Sequence, residues 1–585
     1  MEAKTEDIDH SCEGYLYLDY CETPETLVIK FVLMFCDLNN FKVFLVNDDE
    51  DESNLSSEHC LPFDYSVIKK EILLKEKKVS CRLPALLHCQ EKFWRAGLAT
   101  VVRTIIKTLH RRQPQEGWHK LLGFRETCLK ACSEVSGLTK LCEVDLPAAV
   151  IEIEAEQIDL DCVSDVPVAL VKLENHLRNP PVLHNLRKQL KQLAKRGKEN
   201  TVKDCSVSKI YFSGFEFTLA DLVLFPSVTS ILTVLEQKNH RTLMKIPHIV
   251  KWYKEVSSLQ RVKEALQKSN LRHPVLECLP INPEDNLESN LADELDFKLM
   301  FNEKKKASGT KKIQHMNCKI LPPIVERLAR NGALPECSKH PCEDMRIQWE
   351  VLPSALDPAG GELNPGRAKR KRQQIENMFS VVRTMADDAS VIVDFCSGGG
   401  HLGIVIAYFL TKCTVIMIEN KKESLERARN RIQSLGLENV TLYQCNLDYF
   451  TGSFSIGVSL HACGLVTALV MPQCFKNRAS FVICPCCYGG ICNTHMTSYP
   501  QSSLFANEYK VSYSEYRVLG HAADQTTWNF DSVQSRQGKH CMGLIDLDRV
   551  SVAKEHGYEV TLCTMQPYDC TPKNNLLIGY EPGWI

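Results

Sequence analysis

Residues 391–410, VIVDFCSGGGHLGIVIAYFL, constrain the fold of this chain more than any other stretch. An apolar run ends at Asp394, three glycines follow at 398–400, and a second apolar run begins at once. The first run is short and rich in β-branched residues, as a fully buried strand requires, and the second has the length of a helix. Gly398, Gly399 and Gly400 carry no Cβ, so the turn can take unusual dihedrals and let a ligand approach the backbone. The helix then turns its free N–H groups and positive dipole end towards that ligand.

The pattern continues downstream. A second strand, TVIMIEN (414–420), ends at Glu419, about twenty residues on, where a carboxylate can accept hydrogen bonds from both ribose hydroxyls. The helix 421–436 places Leu425, Ala428, Ile432 and Leu435 on one face, with Gly436 as its C-cap. Three more segments, 439–450, 454–464 and 479–487, read as strands with polar ends, and 557–581 reads as a closing hairpin. Alternating buried strands and amphipathic helices over roughly the last 260 residues predict a doubly wound, Rossmann-like α/β domain.

The glycine turn does not keep the G-x-G-x-x-G spacing of nicotinamide-binding domains, and an Asp stands inside the end of the first strand. VDFCSGGG resembles motif I of class I S-adenosylmethionine-dependent methyltransferases. That resemblance implies S-adenosyl-L-methionine as cofactor, lined by Asp394, Cys396, Gly398 and Gly400, with Glu419 on the ribose and Asn446 facing the adenine. Asn446 stands where the family often has Asp. LHACG (460–464) with CPCCYG (484–489) is similar to a methyltransferase subgroup with His-x-Cys-Gly after the fourth strand and Cys-Cys-Tyr or Cys-Cys-His after the fifth. Some members of that broad group act on RNA. The likeness spans roughly 320–585. The competing reading is a nucleotide fold that has lost its ligand.

Ligands of open α/β sheets sit beyond the carboxyl ends of the strands. The two cysteine motifs therefore flank the transferable methyl group, and three readings of FVICPCCYGGICNTH (481–495) stay open. Cys484, Cys487, Cys492 and His495 can be written as a zinc set, but Cys484 and Cys486 lie at a strand end, where alternate side chains point to opposite faces. Cys463, Cys486 or Cys487 could act as a nucleophile on a pyrimidine. A shaped pocket, with His461 or Tyr488 positioning the acceptor, is the preferred reading, and it needs no metal. The catalytic candidates are thus His461, Cys463, Cys486, Cys487 and Tyr488.

Upstream, PGRAKRKRQQIENMF (365–379) packs Arg367, Lys369, Arg370, Lys371 and Arg372 into a helix start able to bind phosphates. RNA is the expected acceptor, and a protein side chain is its rival. Residues 276–320 read as a charged linker, and 185–199 as a basic helix ending near Gly197.

Residues 13–110 show β-α-β order and then a Pro-led strand at Pro84, after an acidic loop at 46–59. Residues 115–275 read as helical, with a capping box in FTLADL, where Thr218 caps and Asp221 lies three residues on. Together these resemble glutathione transferases, a thioredoxin-like domain followed by a helical one. SGFEFTLADLVLFPS (213–227) and IPHIVKWYKEVSSLQRV (246–262) match that family's helical part, and Pro84 its cis-proline. The family's Glu-Ser or Gln-Ser grip on glutathione is replaced by Ala96-Gly97, and Cys21 is the one nearby thiol after the first strand. The resemblance implies the fold without the transferase chemistry, in a module for a protein partner or dimer.

The composition fits an ordinary globular protein of several domains, with 44% hydrophobic residues in a chain of 585. A net charge of −2 supplies no global attraction for nucleic acid, so any such contact rests on local patches. The polar, acidic start lacks a leader pattern, the apolar runs are too short to cross a bilayer, and the 27 cysteines read as reduced thiols of a cytoplasmic protein. The expectation is a methyltransferase. A glutathione transferase and an inactive scaffold are the alternatives.

Overall fold

The computed structural model describes residues 12–47, 63–75, 79–122, 139–155, 166–179, 210–213, 216–238, 240–269, 271–276, 310–342, 346–361, 363–494 and 496–583. They form two compact units, Met1–Gln90 with Arg95–Lys304 and Glu91–Trp94 with Lys305–Ile585. The basic helix 185–199, the acidic segment 48–59, the linker residues 277–309 and His495 lie outside the described residues.

In the first unit, β1 (Gly14–Asp19) leads into the helix Pro24–Cys36, followed by β2 (Phe41–Asn47), β3 (Tyr65–Lys69), β4 (Ala85–His88) and the short β5 (Trp94–Ala96). Strand β1 runs parallel to β2 and antiparallel to β4, and β2 runs parallel to β3. The helix Pro24–Cys36 starts where Thr23 accepts the Thr26 N–H, with proline at its first position. The Leu83–Pro84 peptide is cis.

The thioredoxin-like strands and the helices that follow were expected as separate domains, yet they close over one core. Leu16 and Phe31 share it with Phe225, Trp252 and Leu266. The helix Pro24–Cys36 explains this, because Val28, Phe31, Val32 and Phe35 are all buried and no single sheet covers a helix on every side. Phe31 meets Phe225 at 5.5 Å and Phe35 meets Phe217 at 5.8 Å between ring centroids.

The helix Leu219–Lys238 forms the centre of this helical core. It is long and apolar enough to cross a bilayer, contrary to the expectation from the apolar runs. However, 67% of its most apolar window is buried within the protein, and Pro226 interrupts it. Its start keeps one half of the expected capping box, the Thr218 N–H to Asp221 bond, and lacks the other. Leu222 N–H donates to the Thr218 carbonyl, but the Thr218 hydroxyl donates to the Asp221 carboxylate at 3.1 Å. The same carboxylate accepts from the backbone N–H of Thr218 (2.9 Å) and Phe212 (2.6 Å) and from the Trp252 indole (2.8 Å).

The second unit holds β6 (Val391–Phe395), β7 (Thr414–Ile418), β8 (Val440–Gln444), β9 (Ile456–Ala462), β10 (Ser480–Pro485), β11 (Glu559–Thr564) and β12 (Asn575–Tyr580). Their order is β11-β12-β10-β9-β6-β7-β8. Strands β6 to β10 are parallel, and β12 is antiparallel to both β10 and β11, forming the expected hairpin. This is a doubly wound, Rossmann-like sheet. Its order reverses between β6 and β9, which opens a crevice at their carboxyl ends. Leu425, Ala428 and Ile432 of the helix Lys422–Ser434 join Val405, Val415, Val458 and Ile578 in its core.

The linker expected to reach residue 320 gives way to the helix Thr310–Arg330. Leu321, Ile324 and Leu328, one helical stripe, bury against a second cluster that includes Tyr516, Leu519 and Leu544. That anchor carries the helix back into a polar sequence.

Removing the Asp221 carboxylate would orphan the Phe212 N–H and the Trp252 indole inside the core. We expect Asp221→Ala to cost roughly 3 kcal/mol or more, and Asp221→Asn less, in urea unfolding followed by circular dichroism.

Candidate active site

The crevice between β6 and β9 is built around Asp394, which is 2% exposed. Its Oδ2 accepts the Gly403 N–H at 2.9 Å. A Cβ on Gly403 would lie 3.0 Å from that oxygen and 2.9 Å from Met417, so only glycine lets the helix approach. Burial pushes the Asp394 carboxyl up to about 7, against the Gly403 bond and the Lys371 ammonium, with Glu419 adding to the rise.

The glycines divide by role. At Gly400, with φ at 75°, a Cβ would meet the Met417 methyl at 2.3 Å and the Ala428 Cβ at 3.1 Å, so this glycine lets the turn pack on β7 and the next helix. At Gly398, with φ at 57°, a Cβ would meet nothing within 4 Å, so space for a ligand lies here. Cys396 also has positive φ, and burial pushes its thiol up to about 12. Glu419 is strapped in place: Oε2 accepts the Gly398 N–H and Oε1 the Lys421 N–H, each at 2.9 Å. Asp394, Cys396, Gly398, Gly400 and Glu419 thus lie around one turn. Asn446 is exposed, beyond the end of β8, where the turn Leu447–Tyr449 starts.

Across the crevice, His461 lies one residue before the end of β9 with φ at 69°, and its Nε2 lies 3.0 Å from Oε1 of Gln374. Burial, with help from the Lys371 cation, draws its imidazole down to about 4, so the ring is neutral at neutral pH. Gln374 is held in turn by donating to the Cys570 carbonyl at 2.9 Å.

The basic run does not form one solvent-facing patch. Consecutive residues point round the helix Pro365–Met385, and each finds different surroundings. Arg367 and Lys369 are exposed. Arg370 lies over the Trp528 ring at 4.7 Å, and Arg372 pairs with Asp357. Lys371 is directed to the site instead. It interacts with Asp394, Cys484, Cys486 and His461, and burial lowers its pKa. Sequence reasoning placed Lys371 among phosphate contacts and passed over Gln374. The available signal was their i, i+3 spacing, which sets both on one helix face.

Cys463, after β9, and Cys486 and Cys487, after β10, come together. Their sulfur atoms lie within 4.8 Å of one another, with Cys463 to Cys486 at 2.8 Å and Cys486 to Cys487 at 3.5 Å. The two loops are laced by Gly464 N–H to the Cys487 carbonyl (3.1 Å) and Cys486 N–H to the Ala462 carbonyl (3.4 Å). Donation from Cys486 draws the Cys463 thiol down to about 6, with Cys487 adding a second bond. Cys486, the donor, is pushed up in exchange, and burial raises Cys487.

One of the open readings and one expectation need correction. Cys484 does not join Cys487 in a ligand set: it is fully buried on β10, where burial pushes it up to about 12. Tyr488 does not face an acceptor. Its ring is 1% exposed and its hydroxyl donates to Asp546 at 2.7 Å, beside the Arg549 guanidinium. It anchors the loop, as does Asp524, which accepts the N–H groups of Tyr488 (2.9 Å) and Gly489 (2.8 Å).

Residues 370–494 match a protein family described as a methyltransferase domain, and residues 173–269 match the glutathione S-transferase C-terminal domain. The chain is 37% identical to the glutathione S-transferase C-terminal domain-containing protein of Xenopus laevis, over 97% of this chain and 99% of the relative. Its human counterpart is 35% identical, over 97% and 98%. This chain belongs to the family of glutathione S-transferase C-terminal domain-containing proteins. A Drosophila melanogaster homolog in the same family is 33% identical, over 97% and 98%. The family name describes the first unit, whereas the crevice lies in the methyltransferase domain of the second. Among solved structures, the SAH-bound Podospora anserina methyltransferase PaMTH1 matches at 13% identity and a TM-score of 0.25, over 44% of this chain and 96% of that one. An RNA methyltransferase from Salinibacter ruber in complex with S-adenosyl-L-homocysteine matches at 19% identity and a TM-score of 0.17, over 19% and 72%. Likenesses of that size carry no argument about substrate.

The buried Asp394 makes a testable signature. Its carboxyl is raised from 3.8 to about 7 in the folded state, so its contribution to stability is complete below pH 3.8 and is lost as pH rises through about 7. Asp394→Asn keeps the acceptor for Gly403 but cannot ionise. The difference in Tm between this variant and the unliganded wild type should therefore grow in favour of the variant between pH 5 and pH 8, as read by scanning calorimetry.

Proposed function

We propose that the second unit is an S-adenosylmethionine-dependent methyltransferase acting on RNA, and that the first unit is a non-catalytic interaction module. The observation that carries the activity is the meeting, across one crevice, of Asp394, Gly398 and Glu419 with His461, Lys371 and the three thiols. The residues fit the cofactor. The open face of Gly398 accommodates a nucleoside, Asp394 offers a carboxylate to an amine, and Glu419 is oriented for ribose hydroxyls. When bound, S-adenosylmethionine supplies a methyl group on a sulfonium centre. The chain's task is then to orient the acceptor and take its proton. His461, neutral and held by Gln374, is the group placed to take that proton, with the Lys371 cation beside it.

RNA is favoured by a surface that the sequence order conceals. Trp528, 53% exposed, carries Arg370 over its ring, with Phe530 at 6.4 Å and Tyr568 a further 5.2 Å on. Aromatic faces beside cations stack unpaired bases, and the exposed Arg367 and Lys369 lie on the same helix as Arg370. Gln374 connects this surface to His461, because the Cys570 carbonyl it bonds is two residues from Tyr568.

In the first unit, the Ala99 N–H at the start of the helix Leu98–Arg112 donates to Glu143 at 2.7 Å. The chain's own carboxylate thus occupies a helix terminus suited to an anion. This supports a protein-binding or dimerising role over glutathione chemistry.

The test is transfer of labelled methyl from S-adenosylmethionine into extract from cells lacking the protein. The label should be RNase-sensitive and should vanish with Asp394→Ala. Protease-sensitive label would move the acceptor to protein, and no label would indicate an inactive scaffold. Trp528→Ala should lower RNA affinity roughly tenfold, about 1.4 kcal/mol, while leaving cofactor binding unchanged in calorimetry.

A further inference from the structure

We propose that Cys463, Cys486 and Cys487 form a three-thiolate site for a soft divalent cation of the zinc class, with its fourth position open at the crevice. The donors come from the ends of the adjacent strands β9 and β10. The backbone bonds between Gly464 and Cys487 and between Cys486 and Ala462 hold the two loops in register, so the donors converge before any ion arrives. A Cβ on Gly464 would lie 3.2 Å from the Gly490 carbonyl oxygen, which suits this close approach to a glycine.

Tetrahedral zinc–thiolate bonds of about 2.3 Å place sulfur atoms about 3.8 Å apart. The cluster comes close to that spacing, with 3.5 Å between Cys486 and Cys487 and all three sulfurs within 4.8 Å of one another. Cys463 and Cys486, at 2.8 Å, need only move apart around the ion. A dithiol switch would use two sulfurs and leave the third without a role, whereas a metal uses all three.

Charge also fits. Three thiolates around a divalent ion leave one negative charge, and Lys421 and Lys573 both interact with the cluster while Asp524 opposes them. A bound cation would ionise the three thiols with release of their protons. Thiolate donors select zinc-class ions over magnesium or calcium. Cys463 and Cys487 are exposed, which provides an entry path and leaves room for water or an acceptor heteroatom as fourth ligand.

The experiment needs no methyl transfer, so its outcome is independent of the proposed activity. The reduced full-length protein is stripped with a chelator and titrated with Zn²⁺. Alkylation of each cysteine is then mapped by mass spectrometry. Cys463, Cys486 and Cys487 should be protected together at one equivalent, in the wild-type chain and without any substitution. Co²⁺ in place of Zn²⁺ should give a thiolate-to-cobalt charge-transfer band that is lost in Cys463→Ser and Cys487→Ser and kept in Cys492→Ser. Undiminished alkylation of the three at excess Zn²⁺ would overturn the proposal. So would a Cys463–Cys486 disulfide in the isolated protein whose reduction restores no metal binding.

Discussion

A carboxylate buried at the end of a parallel strand is the constraint on which the second unit depends. Asp394 cannot be hydrated where it sits, so the chain must bring donors and charge to it. Gly403 supplies an N–H, which requires the helix after the glycine turn to start close against β6, and hence requires glycine. Lys371 supplies the positive charge, which requires the helix Pro365–Met385 to run beside the same strand ends. Glu419 then works against both, and its own oxygens are held by backbone N–H groups rather than by a cation. Burial outweighs the Gly403 bond and the Lys371 charge, so the Asp394 carboxyl stands near 7 instead of at its ordinary value.

The same device recurs away from the crevice. Asp221 joins a loop, a helix start and an indole in the first unit. Glu174 accepts the N–H groups of His248 and Ile249 at the start of another helix. In the second unit Glu376 accepts from Ile347 and the Trp349 indole, and Asp548 from Gln501 and Ser502. Each carboxylate offers several lone pairs and so satisfies N–H groups at chain turns that have no partner in a helix or sheet. Buried acids here act as joints between irregular segments and the regular frame.

The glycine-turn side of the crevice was largely legible because its determinants are contiguous. Strand, glycine turn and helix follow one another in twenty residues, and Glu419 lies at the end of the very next strand. The cysteine side was legible only in part. That Cys463 and the 486–487 pair lie close followed from their places at the ends of neighbouring strands, but which thiols converge did not. Cys484 is buried within β10, whereas Cys486 follows the end of that strand, beyond the register shift against β9 between Cys484 and Pro485. Tyr488 was misread for a related reason, since its partner Asp546 is 58 residues away on a helix whose packing no local pattern reveals.

By itself the sequence determined the local elements, the apolar faces and the glycine positions, because these follow from residue type and spacing over a few turns of chain. Only the tertiary structure decided that the thioredoxin-like strands and the helical segment share one core, since that depends on a helix buried on all sides rather than on any boundary in composition. Only the tertiary structure separated Lys371 from its basic neighbours and gathered Arg370, Trp528, Phe530 and Tyr568 into one surface. Which way a side chain on a helix faces is set by what packs on each side, and those partners are distant in sequence and near only in space.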